Sequence, residues 1–414
     1  MISIKNFKKI DTYFIRNLRI NSGDPGEKLA SALKVSKTYL YSVEKGNNNP
    51  SDEFMHSVLT YYGVAYDQSV ELYEQAYNLV IKMYECVIFK NNELFAKCEK
   101  EFKEKEAIFA FSRAFIFNDL IKYMIELMKY KRVSDEIISN SSKYLPLYDN
   151  NVAYICGVTY VFGKGISYNL ADSKKVLFDI YDRYPIHNVN PSIKGMFYYQ
   201  LGRISSEERS YLKSLNYYHE AIEMLKSIYC VERVNQTNIE IANILLGLKL
   251  YDEAKKKYLE LLEEARKHNF KRRMNVCLSN LSYLCLLQKK YDECEKYIML
   301  AKEAGSNYHD LNYYLAYCAY KTKTKDKARS IISKLINEEE DRYASRMMKM
   351  IQGFVNDNES KIDNYFALIK KDLFKLGDKL EIDMLYEMVI SYYVKKNTDK
   401  CAKLVEEYLN LPKN

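Results

Sequence analysis

The sequence predicts an all-α protein, a small N-terminal helical domain followed by a long run of helical hairpins, on three observations. Apolar residues recur at helical spacing along most of the 414 residues. No proline stands between Pro191 and Pro412, so long helices can run there without interruption. In that same stretch a pattern of large and small residues on paired helices returns in phase several times.

The N-terminal domain is read first from its caps. Asp24 is a good N-cap type, Pro25 suits the first helical position, and Glu27 three residues after Asp24 completes a capping box. Leu29, Ala30 and Leu33 give this short helix a buried face. Lys34-Val35 makes a tight turn, and Ser36 caps a further helix whose Leu40 and Val43 point inward. Gly46 supplies a left-handed C-terminal cap. Two short helices joined in this way form a helix-turn-helix, with the second placed to enter a DNA major groove. The spacing turns Lys37, Thr38, Tyr41 and Ser42 toward base edges, next to the capping Ser36, and Lys37 can donate to guanine. Arg16, Lys45, Asn47 and Asn48 are placed for phosphates, which set register.

This segment resembles the Xre/Cro-type helix-turn-helix family in Arg19, Leu29-Ala30, Val35-Ser36, Glu44, Gly46 and Asn49-Pro50-Ser51. The resemblance implies an ion pair from Arg19 to Glu44 that ties the first helix to the recognition helix. Gly26 stands where the family often carries a polar residue, so phosphate contact there is expected from backbone amides. The competing reading is a helical domain reused for protein contact.

Composition narrows the classes. Charged residues make up 29% and hydrophobic ones 48%, as in an ordered globular protein. No run reaches the length of a membrane span, and the first residues lack the apolar core of a signal peptide, so a cytoplasmic protein without membrane contact is expected. Nine Lys and Arg against six Asp and Glu among residues 1–63 leave that domain mildly basic, which suits DNA. The nine cysteines form no CxxC pair and are expected to be reduced thiols on helix faces. The five histidines, His56, His187, His219, His268 and His309, are too far apart for a metal site. With no phosphate loop and no GxSxG elbow either, neither cofactor, metal nor enzymatic activity is expected.

The hairpins follow a tetratricopeptide pattern. Leu201-Gly202 precedes Ser214, Tyr218 and Ala221; Ile241-Ala242 precedes Ala254, Tyr258 and Leu261; Leu281-Ser282 precedes Cys294, Ile298 and Ala301. Leu315-Ala316 precedes Ala328, Ile332 and Leu335, and Met388-Val389 with Cys401, Val405 and Tyr408 is a degenerate last copy. In each, the small residue of the second helix (B) lies thirteen positions after the large residue of the first (A). Small residues let the helices approach, and large ones fill the space to the next hairpin. Upstream, Val70–Lys90 pairs with Glu93–Glu106, Phe109–Tyr130 with Val133–Leu147, and Asn151–Phe162 with Asn169–Tyr184 across a loop holding Gly163 and Gly165. The expected division is 1–66 for the helix-turn-helix domain, 67–190 for a linker helix and degenerate hairpins, and 191–414 for the tetratricopeptide superhelix.

Such a superhelix exposes A-helix residues on a concave face that commonly holds extended peptides. Two positions after each large A residue stand Arg203, Asn243, Tyr283 and Tyr317, with Asn280 beside them. An Asn can pair with a peptide's N–H and C=O together, Arg203 can clamp a carboxylate, and the tyrosines, with Tyr313 and Tyr320, offer amphipathic walls.

Taken whole, the chain resembles the peptide-pheromone receptors of the Rap/Rgg/NprR/PlcR/PrgX (RRNPP) family, and in length and composition the RstA-type regulators within it. The resemblance implies a cytoplasmic homodimer on a palindromic double-stranded operator, and a short signalling peptide that changes the spacing of the heads. For the RstA type it implies repression of toxin genes and promotion of sporulation. Since the family also includes proteins that dock a response regulator, modulation of a phosphorelay is the alternative function.

Overall fold

The computed structural model describes residues 4–130, 135–164, 170–308, 310–336, 343–376 and 379–411; Gly165, His309, Pro412 and the start of the helix expected from Val133 lie outside them. The regular structure of the described residues is helical, in the order expected of a helix-turn-helix domain followed by tetratricopeptide-type hairpins. They group into two compact units, Met1–Thr237 and Asn238–Asn414.

The first unit begins with α1 (Ile4–Asn21), α2 (Gly26–Ala32), α3 (Lys37–Glu44) and α4 (Asp52–Tyr62). Three hairpins follow: α5 (Val70–Phe89) with α6 (Asn92–Ala110), α7 (Phe115–Tyr130) with α8 (Asp135–Ser142), and α9 (Asn150–Lys164) with α10 (Leu170–Arg183). The second differs from the expected one: Phe109 lies in α6, α7 begins at Phe115, and α8 stops at Ser142, short of Leu147. Then come α11 (Pro191–Glu207), α12 (Tyr211–Ser227) and the start of α13 (Val231–Gly247). Helix α1 is buried on more than one side. Ile10 and Ile15 are wholly buried, Phe7 meets Tyr73 of α5, and Phe14 stacks on Tyr66 and leans on Phe115 of α7. The N-terminal domain and the first hairpins therefore share a core through α1.

The second unit holds the rest of α13, then α14 (Tyr251–Lys267), α15 (Lys271–Leu287), α16 (Tyr291–Glu303), α17 (Asp310–Thr322) and α18 (Lys325–Leu335). It closes with α19 (Tyr343–Asn356), α20 (Glu359–Leu376), α21 (Lys379–Tyr393) and α22 (Thr398–Leu409).

A strict period runs through the middle of the chain. Helices α11 to α15 each have 17 residues. The turns between and after them put Arg209, Tyr229, Lys249, Asn269 and Lys289, twenty residues apart, in the left-handed region at φ 58, 55, 62, 52 and 60°. Within a hairpin the small residues meet as the pattern requires: Ser214 Oγ donates to the Gly202 carbonyl at 2.7 Å, and Cys294 Sγ to that of Ser282 at 3.2 Å. A Cβ on Gly202 would come within 2.5 Å of the Tyr218 ring. The pattern overlooks the α19–α20 hairpin. There Gly353 receives Ile362 only nine residues later, with a Cβ approach of 2.8 Å, across a turn led by Asp357 at φ 53°.

Eight cysteines are buried free thiols, and Cys401 is half-buried. No described helix is long and apolar enough to cross a membrane.

Candidate DNA-reading helix and peptide-facing residues

The turn between α2 and α3 is built from local chemistry. Lys34 takes φ 53°, the Val35 N–H donates to the Ala30 carbonyl, and Ser36 Oγ accepts from the Tyr39 N–H at 3.1 Å. Gly46 follows α3 at φ 73°. Arg19 then locks the geometry. Its guanidinium gives both Glu44 oxygens a hydrogen bond, at 2.6 and 2.8 Å, and a third to the Asp24 carbonyl at 3.0 Å. The Glu44 side chain is 4% exposed, and its hydrogen bond raises the Arg19 pKa above the ordinary arginine value.

The N-terminus of α2 differs from the expected capping box. The helix starts at Gly26, one residue late, with Pro25 at the cap and no side-chain cap bond. The Asp24 carboxylate instead accepts from Lys28 at 2.6 Å and from the Tyr61 hydroxyl at 3.2 Å, and Glu27 pairs with Lys37. Gly26 is buried because Tyr41 lies over it; a Cβ there would stand 2.4 Å from the Tyr41 hydroxyl.

On α3, Lys37 and Thr38 are exposed, as are Lys45, Asn47, Asn48 and Arg16. Ser42 is half-buried, and its carbonyl accepts from the N–H groups of Asn47 and Asn48. Tyr41 is half-buried in its packing role, and Ser36 is occupied as a cap. The exposed Lys37–Glu27 pair is worth little in water and yields readily to a phosphate or base.

In the second unit, Asn243 and Asn280 form one amide pair on neighbouring A helices. Asn280 Nδ2 donates to Asn243 Oδ1 at 3.1 Å, and the same oxygen accepts from the Tyr258 hydroxyl at 2.6 Å. Asn243 Nδ2 reaches Glu240 at 3.2 Å. Tyr258, a packing residue in the repeat pattern, also orients Asn243 through its hydroxyl, which no local sequence signal marks. Tyr283 is half-buried and stacks on Tyr314 with centroids 5.7 Å apart. Tyr317, expected on an open wall, is 5% exposed and lies among Tyr291, Tyr320 and Lys321. Tyr313 is 1% exposed, with its hydroxyl 3.4 Å from both Glu381 oxygens. In the first unit, Arg203 is half-buried, with Nη1 3.5 Å from Gln200 Oε1.

No family model matches the chain, nor does the sequence of any curated protein. Solved structures do. Apo RapI superposes with a TM-score of 0.64 at 13% identity, covering 80% of this chain and 97% of its own. The apo quorum sensor NprR from B. thuringiensis gives 0.62 at 16% identity, with 81% and 99% covered. A Rap protein complexed with Competence and Sporulation Factor gives 0.62 at 14%, with 82% and 97% covered. At these identities the likeness is one of fold: the chain shares the helical-hairpin architecture of Rap and NprR.

Proposed function

We propose that the chain is a sequence-specific, DNA-binding transcriptional regulator of the RRNPP type, controlled by a short peptide held on its A-helix face. In this reading residues 1–66 read the operator, 67–190 form the joint and 191–414 receive the peptide. The observation that carries it is α3, pinned by Arg19–Glu44, capped by Ser36 and presenting Lys37, Thr38 and Lys45 to solvent. A protein that only docks partners has no need of that surface. The peptide half rests on the Asn243–Asn280 pair, whose amides can hold a peptide backbone without reading its side chains. NprR, which shares the fold, has been solved in complex with its cognate peptide NprX.

The mechanism is one of populations. Two copies bind half-sites about 34–36 Å apart, and a change in head spacing weakens simultaneous contact. A peptide shifts that balance only by its differential affinity for the two arrangements. We place the chain in the cytoplasm as a homodimer, and within the family beside the RstA-type regulators of toxin genes and sporulation. The test is fluorescence anisotropy of a labelled promoter duplex with the ultrafiltered, low-mass fraction of culture medium added. The half-saturation point should move for the parent protein and stay fixed for Asn243→Ala. Equal behaviour of both proteins removes the peptide half of the reading.

A further inference from the structure

Three side chains of α21 reach residues at or just beyond the ends of three A helices, α13, α15 and α17. Asp383 accepts from Lys249 Nζ at 3.2 Å, Glu387 pairs with Lys289, and Ser391 Oγ accepts from Lys321 Nζ at 3.2 Å. Asp383, Glu387 and Ser391 follow one another at four-residue intervals and so share a face of α21. Lys249 and Lys289 occupy left-handed turn positions after α13 and α15, where a side chain costs backbone energy that glycine would avoid. Lys321 ends α17. Two rungs of this ladder are carboxylate on ammonium, whereas the third sets a lysine against a neutral hydroxyl.

That lysine is half-buried. Its ammonium lies 5.3 Å from the ring centres of both Tyr317 and Tyr320. Burial pushes its pKa below the ordinary lysine value; Glu387 opposes that shift and Lys289 adds to it. A half-buried ammonium is drawn to a carboxylate by a charge–charge attraction that a neutral hydroxyl does not supply.

We propose that Lys289, Lys321 and Ser391, backed by Tyr317, form a carboxylate-binding subsite, and that the ligand it takes is an acidic peptide. The inference rests on reading this face as peptide-binding. Asn280 lies seven residues before the end of α15 at Leu287, a rise of about 11 Å, and Lys289 follows in the turn just beyond. An extended chain covers that in about four residues. A peptide held by its backbone at Asn243 and Asn280 therefore brings a later acidic side chain, or its own C-terminal carboxylate, to the lysines. Glu387 on Lys289 shows that a carboxylate fits there, and Lys321 beside it donates to a neutral acceptor, Ser391.

The test uses full-length protein and three fluorescein-labelled probes: hexaglutamate, hexaglutamine and hexalysine. Hexaglutamate should bind best, and K289Q/K321Q should weaken it about fivefold to tenfold. K289Q alone, at an exposed position, should give part of that loss with an unchanged thermal melt. A K37Q/K45Q variant of the basic N-terminal domain should bind it as the parent does. The proposal is overturned if the lysine variants bind hexaglutamate unchanged, if K37Q/K45Q removes the binding, or if no probe binds. Hexaglutamine binding as tightly, with both lost in Asn243→Ala, would also overturn it while leaving the peptide-receptor reading intact.

Discussion

Arg113 grips both carboxylate oxygens of Asp11, at 2.7 and 2.9 Å, and so fastens α1 to the segment that leads into α7. The Tyr66 hydroxyl adds a third bond to Asp11 at 2.9 Å, and the guanidinium lies 4.9 Å from the Phe7 ring centre. With Asp11 5% and Arg113 14% exposed, the pair is largely shielded from water. Removing one partner orphans the other. Arg113→Ala should cost about 3 kcal/mol in urea unfolding, and Asp11→Ala added to it should recover part of the loss. A double variant less stable than the single one would contradict this.

Gly26 and Tyr41 form a second dependent pair. Gly26→Ala drives a methyl into the Tyr41 ring and should destabilise the N-terminal domain by about 1–3 kcal/mol. In a Tyr41→Ala background the same change should be close to neutral. Thermal melts of the four proteins check this, and additive effects would show that the residues do not touch.

Acid should weaken the second unit at a nameable site. Hydrogen bonds from Lys325, then Lys396, hold the Asp357 carboxylate down at about 2, against an ordinary 3.8. Because the folded pKa is depressed, this stabilisation is present above the unfolded pKa and is lost as pH falls from there through the folded one. The side chain is 40% exposed, so screening keeps the effect to about 1 kcal/mol or less. Asp357→Asn should trail the parent in urea midpoint at about pH 6 and converge with it toward about pH 3. A gap that widens in acid would contradict the assignment.

The structure makes plain which parts of the fold the sequence carries openly. Signals confined to one turn of chain are legible: Ser36 and Gly46 bracket α3 where expected. The Arg19–Glu44 pair, 25 residues apart, is expected from the family resemblance alone, and it forms. The thirteen-residue rule found hairpins whose small residues face each other, as Ser214 meets Gly202. It failed for α19–α20, where Gly353 alone provides the close approach and the turn is short. The Asp24–Glu27 capping box was misread because both carboxylates have stronger cationic partners in Lys28 and Lys37. Distant pairings are beyond any local pattern: the α21 rungs join residues 134, 98 and 70 positions apart.

Operator reading is attributed to two exposed side chains. Lys37→Ala with Thr38→Ala removes a groove donor and a hydroxyl without touching Ser36, Leu40 or Val43. Each good base contact carries about 1–3 kcal/mol, so the double variant should lose at least about tenfold in affinity for promoter DNA. Its helical circular dichroism and oligomeric state should not change. Unaltered affinity would place the reading surface elsewhere.

The central claim is tested most directly by fluorescence anisotropy of the full-length protein on its own promoter duplex beside a scrambled one, across a salt series. The account predicts preferential binding to the promoter, with affinity falling linearly in logarithmic salt as phosphate contacts are screened. Equal, weak binding to both duplexes at every salt concentration, with and without the low-mass medium fraction, would contradict it and favour a protein that docks a response regulator.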